Sequence, residues 1–108
     1  MTHRLVTITP AGHQSFVDYP KSPELAILQA AAGGFIQEVP GLKTFFYEGK
    51  NRRVNAWVDE EGLLKGYAPN PTATALWRKC LEAVAAKEGG TVPFVQLVGN
   101  LVLVFKLS

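Results

Sequence analysis

Residues 70–90 read NPTATALWRKCLEAVAAKEGG and carry the clearest secondary-structure signal in the chain. Asn70 can cap a helix, and Pro71 suits the first helical position because an N–H group there would have no partner in the helix. Apolar residues then recur at steps of three and four, which places them on one helical face: Ala73, Leu76, Trp77, Cys80, Leu81 and Val84. We therefore predict a long helix that begins at Pro71 and ends at Glu88-Gly89-Gly90.

A shorter helix is predicted after Ser22. This residue can cap free N–H groups, Pro23 fits the first helical position, and Glu24 suits the positive end of the helix dipole. The Gly33-Gly34 pair ends the pattern, since glycine readily adopts the left-handed backbone conformation of a helix end. The apolar residues that lie between these signals at helical spacing are Leu25, Leu28 and Ala32.

The remaining segments are rich in β-branched or aromatic residues and are bounded by glycine, proline or asparagine, as strands are. They are residues 4–9, 15–19, 35–39, 44–48, 53–59, 94–98 and 101–105. The last two flank Gly99-Asn100 and predict either a C-terminal hairpin or one bent strand. The resulting order, ββαβββαββ, predicts an α+β fold with an antiparallel or mixed sheet and both helices packed on one face.

Length and composition indicate a single domain over residues 1–108. Of these residues 47% are hydrophobic and 19% are charged, a balance that supports a buried core. The single cysteine, Cys80, cannot form an internal disulfide, as is usual in a reducing compartment. The chain opens Met1-Thr2-His3-Arg4 without a signal peptide, and its longest apolar run, near Val98 to Phe105, is too short to span a bilayer. We expect a cytoplasmic protein with no membrane partner.

No catalytic or metal-binding constellation is recognisable among the reactive residues. His3, His13 and Cys80 are predicted on a terminus, a turn and an apolar helix face, so they give no convergent set of ligands. Cys80 is predicted to be a core residue, because apolar surroundings make a thiol unreactive. The run Asp59-Glu60-Glu61-Gly62 predicts a solvated turn rather than an acid–base pair. We therefore expect no metal, no cofactor and no enzymatic activity.

The loop before the long helix is the first candidate binding site. Residues 65–74 read KGYAPNPTAT and lead into the helix N-terminus, where backbone N–H groups and the helix dipole favour anions. Five residues are predicted to bind a small anionic ligand there, with the lysine as counter-charge and the threonines as hydroxyl donors: Lys65, Tyr67, Asn70, Thr72 and Thr74. The alternative interpretation is an ordinary capped helix start.

Basic residues near one hairpin tip are the second candidate. The alternative, nucleic-acid-binding set is Lys43, Lys50, Arg52 and Arg53, which lie beside the aromatic residues Phe45, Phe46, Tyr47 and Trp57. Basic and aromatic groups together can hold single-stranded nucleic acid or a nucleotide by phosphate contacts and stacking. The net charge of +2 is too small to indicate such a partner by itself. The competing interpretation is an ordinary charged turn over core aromatics.

Three blocks of the chain carry a family resemblance. They are ILQAAAGGFIQEV at residues 27–39, DEEGLLKGYAPN at residues 59–70 and LVGNLVLV at residues 97–104. In this order they resemble a family of small domains of unknown function that is carried by bacteriophages, plasmids and some bacteria. The resemblance supplies no catalytic residue, cofactor or substrate. It implies an accessory gene of a phage or mobile element whose product acts inside a bacterial cell.

The sequence therefore suggests two hypotheses for the function and one for the oligomeric state. The first is a small non-enzymatic accessory protein that binds a host protein or a small anionic ligand, such as a nucleotide, and so counters a bacterial defence. The second is a nucleic-acid-binding accessory protein that uses the basic hairpin tip. Residues 95–107 are apolar for much of their length, and a strand of this kind at a sheet edge predicts a homodimer.

Overall fold

In the computed structural model, which describes residues 2–107, seven strands and two helices follow one another along the chain. They are β1 (His3–Ile8), β2 (Gln14–Tyr19), α1 (Leu25–Ala32), β3 (Ile36–Glu38), β4 (Thr44–Tyr47), β5 (Lys50–Arg53), β6 (Asn55–Asp59), α2 (Pro71–Glu88) and β7 (Leu101–Lys106). The α+β fold is confirmed, and its sheet is antiparallel. The observed order of elements is ββαββββαβ.

Five strands form one sheet in the order β2-β1-β7-β6-β3, whereas β4 and β5 form a separate hairpin. The last strand of the chain, β7, lies in the centre of the larger sheet between β1 and β6. Leu103 of β7 pairs with Val6 on one side and with Ala56 on the other. The centre of the sheet therefore depends on contacts between the two ends of the chain.

Both faces of β7 are buried, and a different helix covers each face. The odd-numbered residues of β7 pack in one core with Ala73 of α2. Val102 and Val104 pack in a second core with Leu28 and Ala32 of α1. The predicted packing of both helices on one face is therefore wrong. Alternate side chains of a strand point in opposite directions, so a strand that is apolar throughout needs a cover on each side.

The predicted strand over residues 53–59 is two strands in the structure. The chain changes sheets at Val54, which is buried: before it β5 pairs with β4, and after it β6 pairs with β3 and β7. The Val54 amide still donates to the Lys43 carbonyl, at 2.9 Å, and so extends the hairpin by one hydrogen bond. A continuous run of strand-forming residues does not reveal a change of partner within it.

Residues 94–98 form no strand, so neither the predicted C-terminal hairpin nor one bent strand is present. Their strand-like pairing is limited to an isolated bridge between Pro69 and Val98. The Leu97 amide donates to Thr74 Oγ1 at 2.9 Å. The segment is therefore tied to the start of α2 and does not return alongside β7.

The bounds of α2 are confirmed, whereas α1 begins later than predicted. Asn70 caps α2, since its side chain accepts a hydrogen bond from the Ala73 amide. The first residue of α1 is Leu25, and no side chain caps this helix. The Glu24 carbonyl accepts the first helical hydrogen bonds, so the predicted start at Ser22 is wrong.

The apolar face of α2 is buried over only part of its length. The residues of this face that belong to the core or pack against it are Ala73, Leu76, Trp77 and Cys80. Cys80, predicted to be a core residue, packs against the core but is only partly buried. Val84, in contrast, is 46% exposed, so the predicted face is wrong at that position.

The edges of the five-stranded sheet are β2 and β3. The homodimer hypothesis requires a sheet edge within residues 95–107, yet β7 has strand partners on both of its sides. Its backbone groups are therefore already paired along most of the strand. The predicted dimer edge is wrong, because the apolar character of β7 reflects burial within the sheet.

We expect Leu103→Ala to lower the free energy of unfolding by about 2 to 5 kcal/mol, because this side chain is fully buried at the centre of the sheet. Leu64→Ala removes the same atoms from a side chain that is 85% exposed, and it should change stability by less than about 0.5 kcal/mol. Urea unfolding followed by circular dichroism measures both values. Equal effects of the two substitutions would contradict the central position of β7.

Candidate functional site

The loop that contains Lys65 is organised around Asp59, a carboxylate that is only 5% exposed. Lys65 Nζ lies 2.8 Å from Asp59 Oδ2, and the Tyr67 hydroxyl donates to the same oxygen at 2.9 Å. The other oxygen, Oδ1, accepts from the Glu61 amide at 2.8 Å. Glu60 and Glu61 are exposed, as predicted, but the predicted solvated turn is wrong for Asp59.

The charge of Lys65 is compensated inside the protein. Burial by itself would raise the pKa of Asp59, but hydrogen bonds from Lys65, the Glu61 amide and Tyr67 outweigh burial and hold this pKa below its usual range. The hydrogen bond from Lys65 to Asp59 in turn raises the pKa of Lys65. An anion from solution would therefore have to compete with a carboxylate that is already in contact with the lysine.

The Gly33-Gly34 pair lies against this cluster. Gly33 ends α1 in the left-handed conformation, with a φ of 105°, and its carbonyl accepts from Lys65 Nζ at 3.2 Å. A Cβ atom at Gly34 would collide with the Lys65 ammonium group and lie 3.0 Å from a carboxylate oxygen of Asp59. Helix termination explains the first glycine, and the second makes room for the ion pair.

Asn70 is a structural residue at the junction of three segments. Its side chain is fully buried, and Nδ2 donates to the carbonyls of Ile8 at 2.9 Å and Gly99 at 2.8 Å. Its Oδ1 accepts from the Ala73 amide at 3.0 Å. One side chain thus joins the end of β1, the turn before β7 and the start of α2.

The structure does not bring the five residues of the first candidate site together. Lys65 and Tyr67 meet at the Asp59 carboxylate. Thr74 accepts the Leu97 amide, and the side chain of Thr72 is exposed on the first turn of α2. The side chains of Lys65, Tyr67 and Thr74 are therefore engaged at separate points of the fold, and the five residues do not form one site.

A groove of about 680 Å³ opens between β5 and the end of β7. Four cationic side chains line it, three from β5 and one from β7: Lys50, Arg52, Arg53 and Lys106. Its other lining residues are His3, Ser22, Asn51, Val54, Asn55, Val104 and Phe105. No carboxylate side chain is among them, so the part of the chain that the structure describes makes this groove electropositive.

The groove exists because two strands diverge. β6 pairs with β7 only as far as Asn55 and Val104, and β7 continues for two residues beyond that pair. The residues before Val54 lie outside the five-stranded sheet, because they form β5 and pair with β4. Phe105 and Lys106 at the end of β7 therefore line the space that β5 leaves open.

The four cations of the groove differ from Arg4 and Lys65, whose charges are compensated by carboxylates. Arg4 lies 2.7 Å from Asp18, and Lys65 lies 2.8 Å from Asp59. Within residues 2–107, none of the four groove cations has a carboxylate within 4.0 Å. Their charge is not compensated by an ion pair there, so it can act on an anion from solution.

Arg52 is oriented by its neighbours without being neutralised by them. Its Nε donates to the Tyr47 carbonyl at 3.3 Å. Its guanidinium carbon lies 5.8 Å from the ring centroid of Tyr47 and 5.7 Å from that of Phe105. The hydrogen bond restrains this side chain, and the two rings add weak cation–π attraction without compensating its charge.

The basic residues predicted near the hairpin tip are brought together in part. Lys50, Arg52 and Arg53 line the groove, whereas Lys43 is exposed and is not among the lining residues. The groove adds Lys106, which the sequence analysis did not single out. The second candidate site is therefore a groove between two strands, and it is not confined to the hairpin tip.

Lys106 and His3 are among the groove residues that sequence reasoning missed, and both are far from β5 along the chain. They lie opposite each other in the pairing of β1 with β7. His3 Nδ1 is buried and has no hydrogen-bond partner among residues 2–107. No spacing rule links these positions to β5, so only the arrangement of the strands could have identified them.

Within residues 2–107, the structure has neither a metal-binding cluster nor a membrane-spanning helix. No group of three or more histidine, cysteine, aspartate or glutamate side chains in that range could hold a metal ion. Neither helix of the described chain combines the length and the apolar character that crossing a bilayer requires.

Comparisons with known proteins identify no relative. No family model matches the chain, and neither a curated protein nor a solved structure matches it. The resemblance to a family carried by phages and plasmids therefore stays a prediction.

We expect Asn70→Ala to lower the free energy of unfolding by about 2 to 4 kcal/mol, because it leaves two buried carbonyls and one amide without partners. Asn70→Asp keeps the acceptor for the Ala73 amide but places a carboxylate oxygen against the two buried carbonyls, so it should destabilise at least as much. Thr72→Ala, at an exposed position nearby, is the control and should change stability by less than about 0.5 kcal/mol. Guanidinium unfolding compares the three variants. If Asn70→Asp were as stable as the wild-type protein, the Asn70 side chain would not be what joins the three segments.

We expect Asp59→Asn to lower the free energy of unfolding by about 1 to 3 kcal/mol at neutral pH, because Lys65 loses its charged partner. The pKa of Asp59 is lowered by folding, so its carboxylate contributes fully above the unfolded value of about 4, and the contribution is lost as pH falls through the folded value. The difference between wild type and variant should therefore shrink below about pH 4. Urea unfolding at several pH values measures it.

Glu60→Gln is the control for that experiment, because Glu60 is exposed beside the cluster. It should give the wild-type stability at neutral pH and no comparable pH dependence. If the loss caused by Asp59→Asn were independent of pH, the ion pair with Lys65 would not be its cause.

Proposed function

We propose that the protein binds a phosphate-bearing anion in the groove between β5 and β7 without transforming it. The observation that carries this proposal is the set of four groove cations, none of which has a carboxylate partner within residues 2–107. Lysine and arginine keep their charge near neutral pH, and phosphate oxygens accept charge-assisted hydrogen bonds from both. Such a site holds its ligand by charge and hydrogen bonding alone.

The size and lining of the groove support a ligand larger than a lone ion. Its volume of about 680 Å³ lies within the range of small-molecule sites, about 300 to 1,000 Å³. Val104 and Phe105 give the groove an apolar part, while Ser22, Asn51 and Asn55 offer neutral hydrogen-bonding groups. An anion with an organic part, such as a nucleotide or a segment of nucleic acid, matches this mixture.

The proposal keeps the ligand class predicted from sequence and changes the residues that bind it. In the loop before α2, Lys65 is paired with Asp59 and the Asn70 side chain is fully engaged by backbone groups. In the groove, the cations have no such partner within the described chain. An accessory role in a phage or mobile element, a host-protein partner and a cytoplasmic location stay predictions.

We expect the double variant Arg52→Ala/Arg53→Ala to weaken the binding of tripolyphosphate and of ATP by at least about 10-fold, because hydrogen bonds to charged groups contribute about 1.5 to 3 kcal/mol each. Binding of the wild-type protein should also weaken as salt is added, since salt screens the attraction. Isothermal titration calorimetry at low ionic strength measures the affinities.

The matched control is Arg78→Ala/Lys79→Ala, which removes the same charge from α2 at positions outside the groove. This control should change the affinity by less than about twofold, because distant surface charges are screened. Equal losses in the two double variants, or no binding by the wild-type protein, would contradict the proposed function.

A further inference from the structure

The hairpin beside the groove presents an exposed aromatic ring. Phe45 belongs to the core, because it is 6% exposed and its ring centroid lies 5.5 Å from that of Tyr47 and 6.2 Å from that of Phe105. Phe46, the next residue of β4, is 67% exposed. Neighbouring side chains of a strand point to opposite faces, so Phe46 lies on the outer face of the hairpin and contributes little through burial.

Phe46 shares this outer face with two residues of the groove. In the register of the hairpin, Phe46 lies opposite Asn51, and Arg53 lies opposite Thr44, one step further along the same face. Opposed side chains have Cβ atoms about 4.5 to 5.5 Å apart, and diagonal neighbours about 7 to 8 Å apart. Asn51 and Arg53 both line the groove. The exposed ring is therefore continuous with the cationic surface.

The groove cations are spread over the length of β5 and across the groove on β7. Lys50 and Arg53 are the two ends of β5, and three residue steps along a strand span about 10 Å. Arg52 lies between these ends, and Lys106 comes from β7 on the other side of the groove. Cations distributed over this distance match several phosphates of a chain better than one phosphate group.

We propose that the ligand of the groove is single-stranded nucleic acid, whose phosphates contact the four groove cations and one of whose bases stacks on Phe46. This inference rests on the proposed function, because it names the anion that the groove takes. Proteins that bind single strands combine a cationic groove for the backbone with aromatic rings for the bases. A duplex keeps its bases stacked and paired, so its base faces are closed to Phe46.

Fluorescence anisotropy with labelled oligonucleotides of about 12 residues tests this inference on the full chain, a length within the range of single-strand sites. We expect binding of oligothymidylate or oligouridylate, with an affinity that falls as the salt concentration rises. A DNA duplex that carries the same number of phosphates should bind at least about 10-fold more weakly, because it offers no base to the aromatic ring.

Phe46→Ala should weaken binding of the single strand by about 5- to 100-fold, as expected for the loss of one base stack. Phe46→Trp should bind the single strand at least as tightly as the wild-type protein, since an indole ring also stacks on bases. Phe16→Ala is the matched control: Phe16 is 54% exposed on β2, carries the Arg4 guanidinium 3.9 Å from its ring centroid, and does not line the groove. This control should bind like the wild type.

Tripolyphosphate separates the inference from the proposed function, because it has phosphates and no base. Phe46→Ala should bind it as tightly as the wild-type protein does. If the wild type binds tripolyphosphate but no oligonucleotide, or if the duplex binds as tightly as the single strand, the inference is overturned and the proposed function stands. The inference is likewise overturned, and the proposed function stands, if Phe46→Ala binds the single strand as tightly as the wild type. If the protein binds neither probe, both proposals fall.

Discussion

The burial of β7 on both faces is the constraint on which the rest of the structure depends. Each residue from Leu101 to Phe105 is at most 4% exposed. Because alternate side chains point in opposite directions, α1 must cover one face of this strand and α2 the other. The backbone groups of β7 need partners as well, and β1 and β6 supply them. The two separate cores and the central position of the last strand are consequences of this arrangement.

The end of the same strand sets the position of the groove. Phe105, the last buried residue of β7, has its ring centroid 5.2 Å from that of Tyr47, and this contact anchors the β4-β5 hairpin to the sheet. Arg52 lies against both of these rings, so the core fixes the place of a groove cation. One residue later, Lys106 is exposed and lines the opposite side. The site is therefore built on strands, which hold binding groups more firmly than loops do.

Local signals predict α2 well and the site only in part. Asn70 and Pro71 mark a helix start through chemistry confined to sequence neighbours, so their interpretation needs no knowledge of the fold. Asp59 has the local sequence of a solvated turn, yet its carboxylate is buried and Lys65 reaches it from the next turn to form an ion pair. Lys106 meets the residues of β5 only because β7 enters the middle of the sheet. Such contacts depend on strand order, which periodicity and capping signals do not contain.

Arg4 and Arg52 lie against the same ring but differ in whether a carboxylate compensates their charge. Arg4 and Arg52 both have their guanidinium carbon 5.8 Å from the ring centroid of Tyr47. Arg4 also contacts Asp18 and Glu48, so its charge is compensated within the protein. Arg52 has the same aromatic support but no carboxylate within 4.0 Å in the described chain. A guanidinium that is restrained by a hydrogen bond and has no carboxylate partner loses less side-chain freedom when it binds an anion.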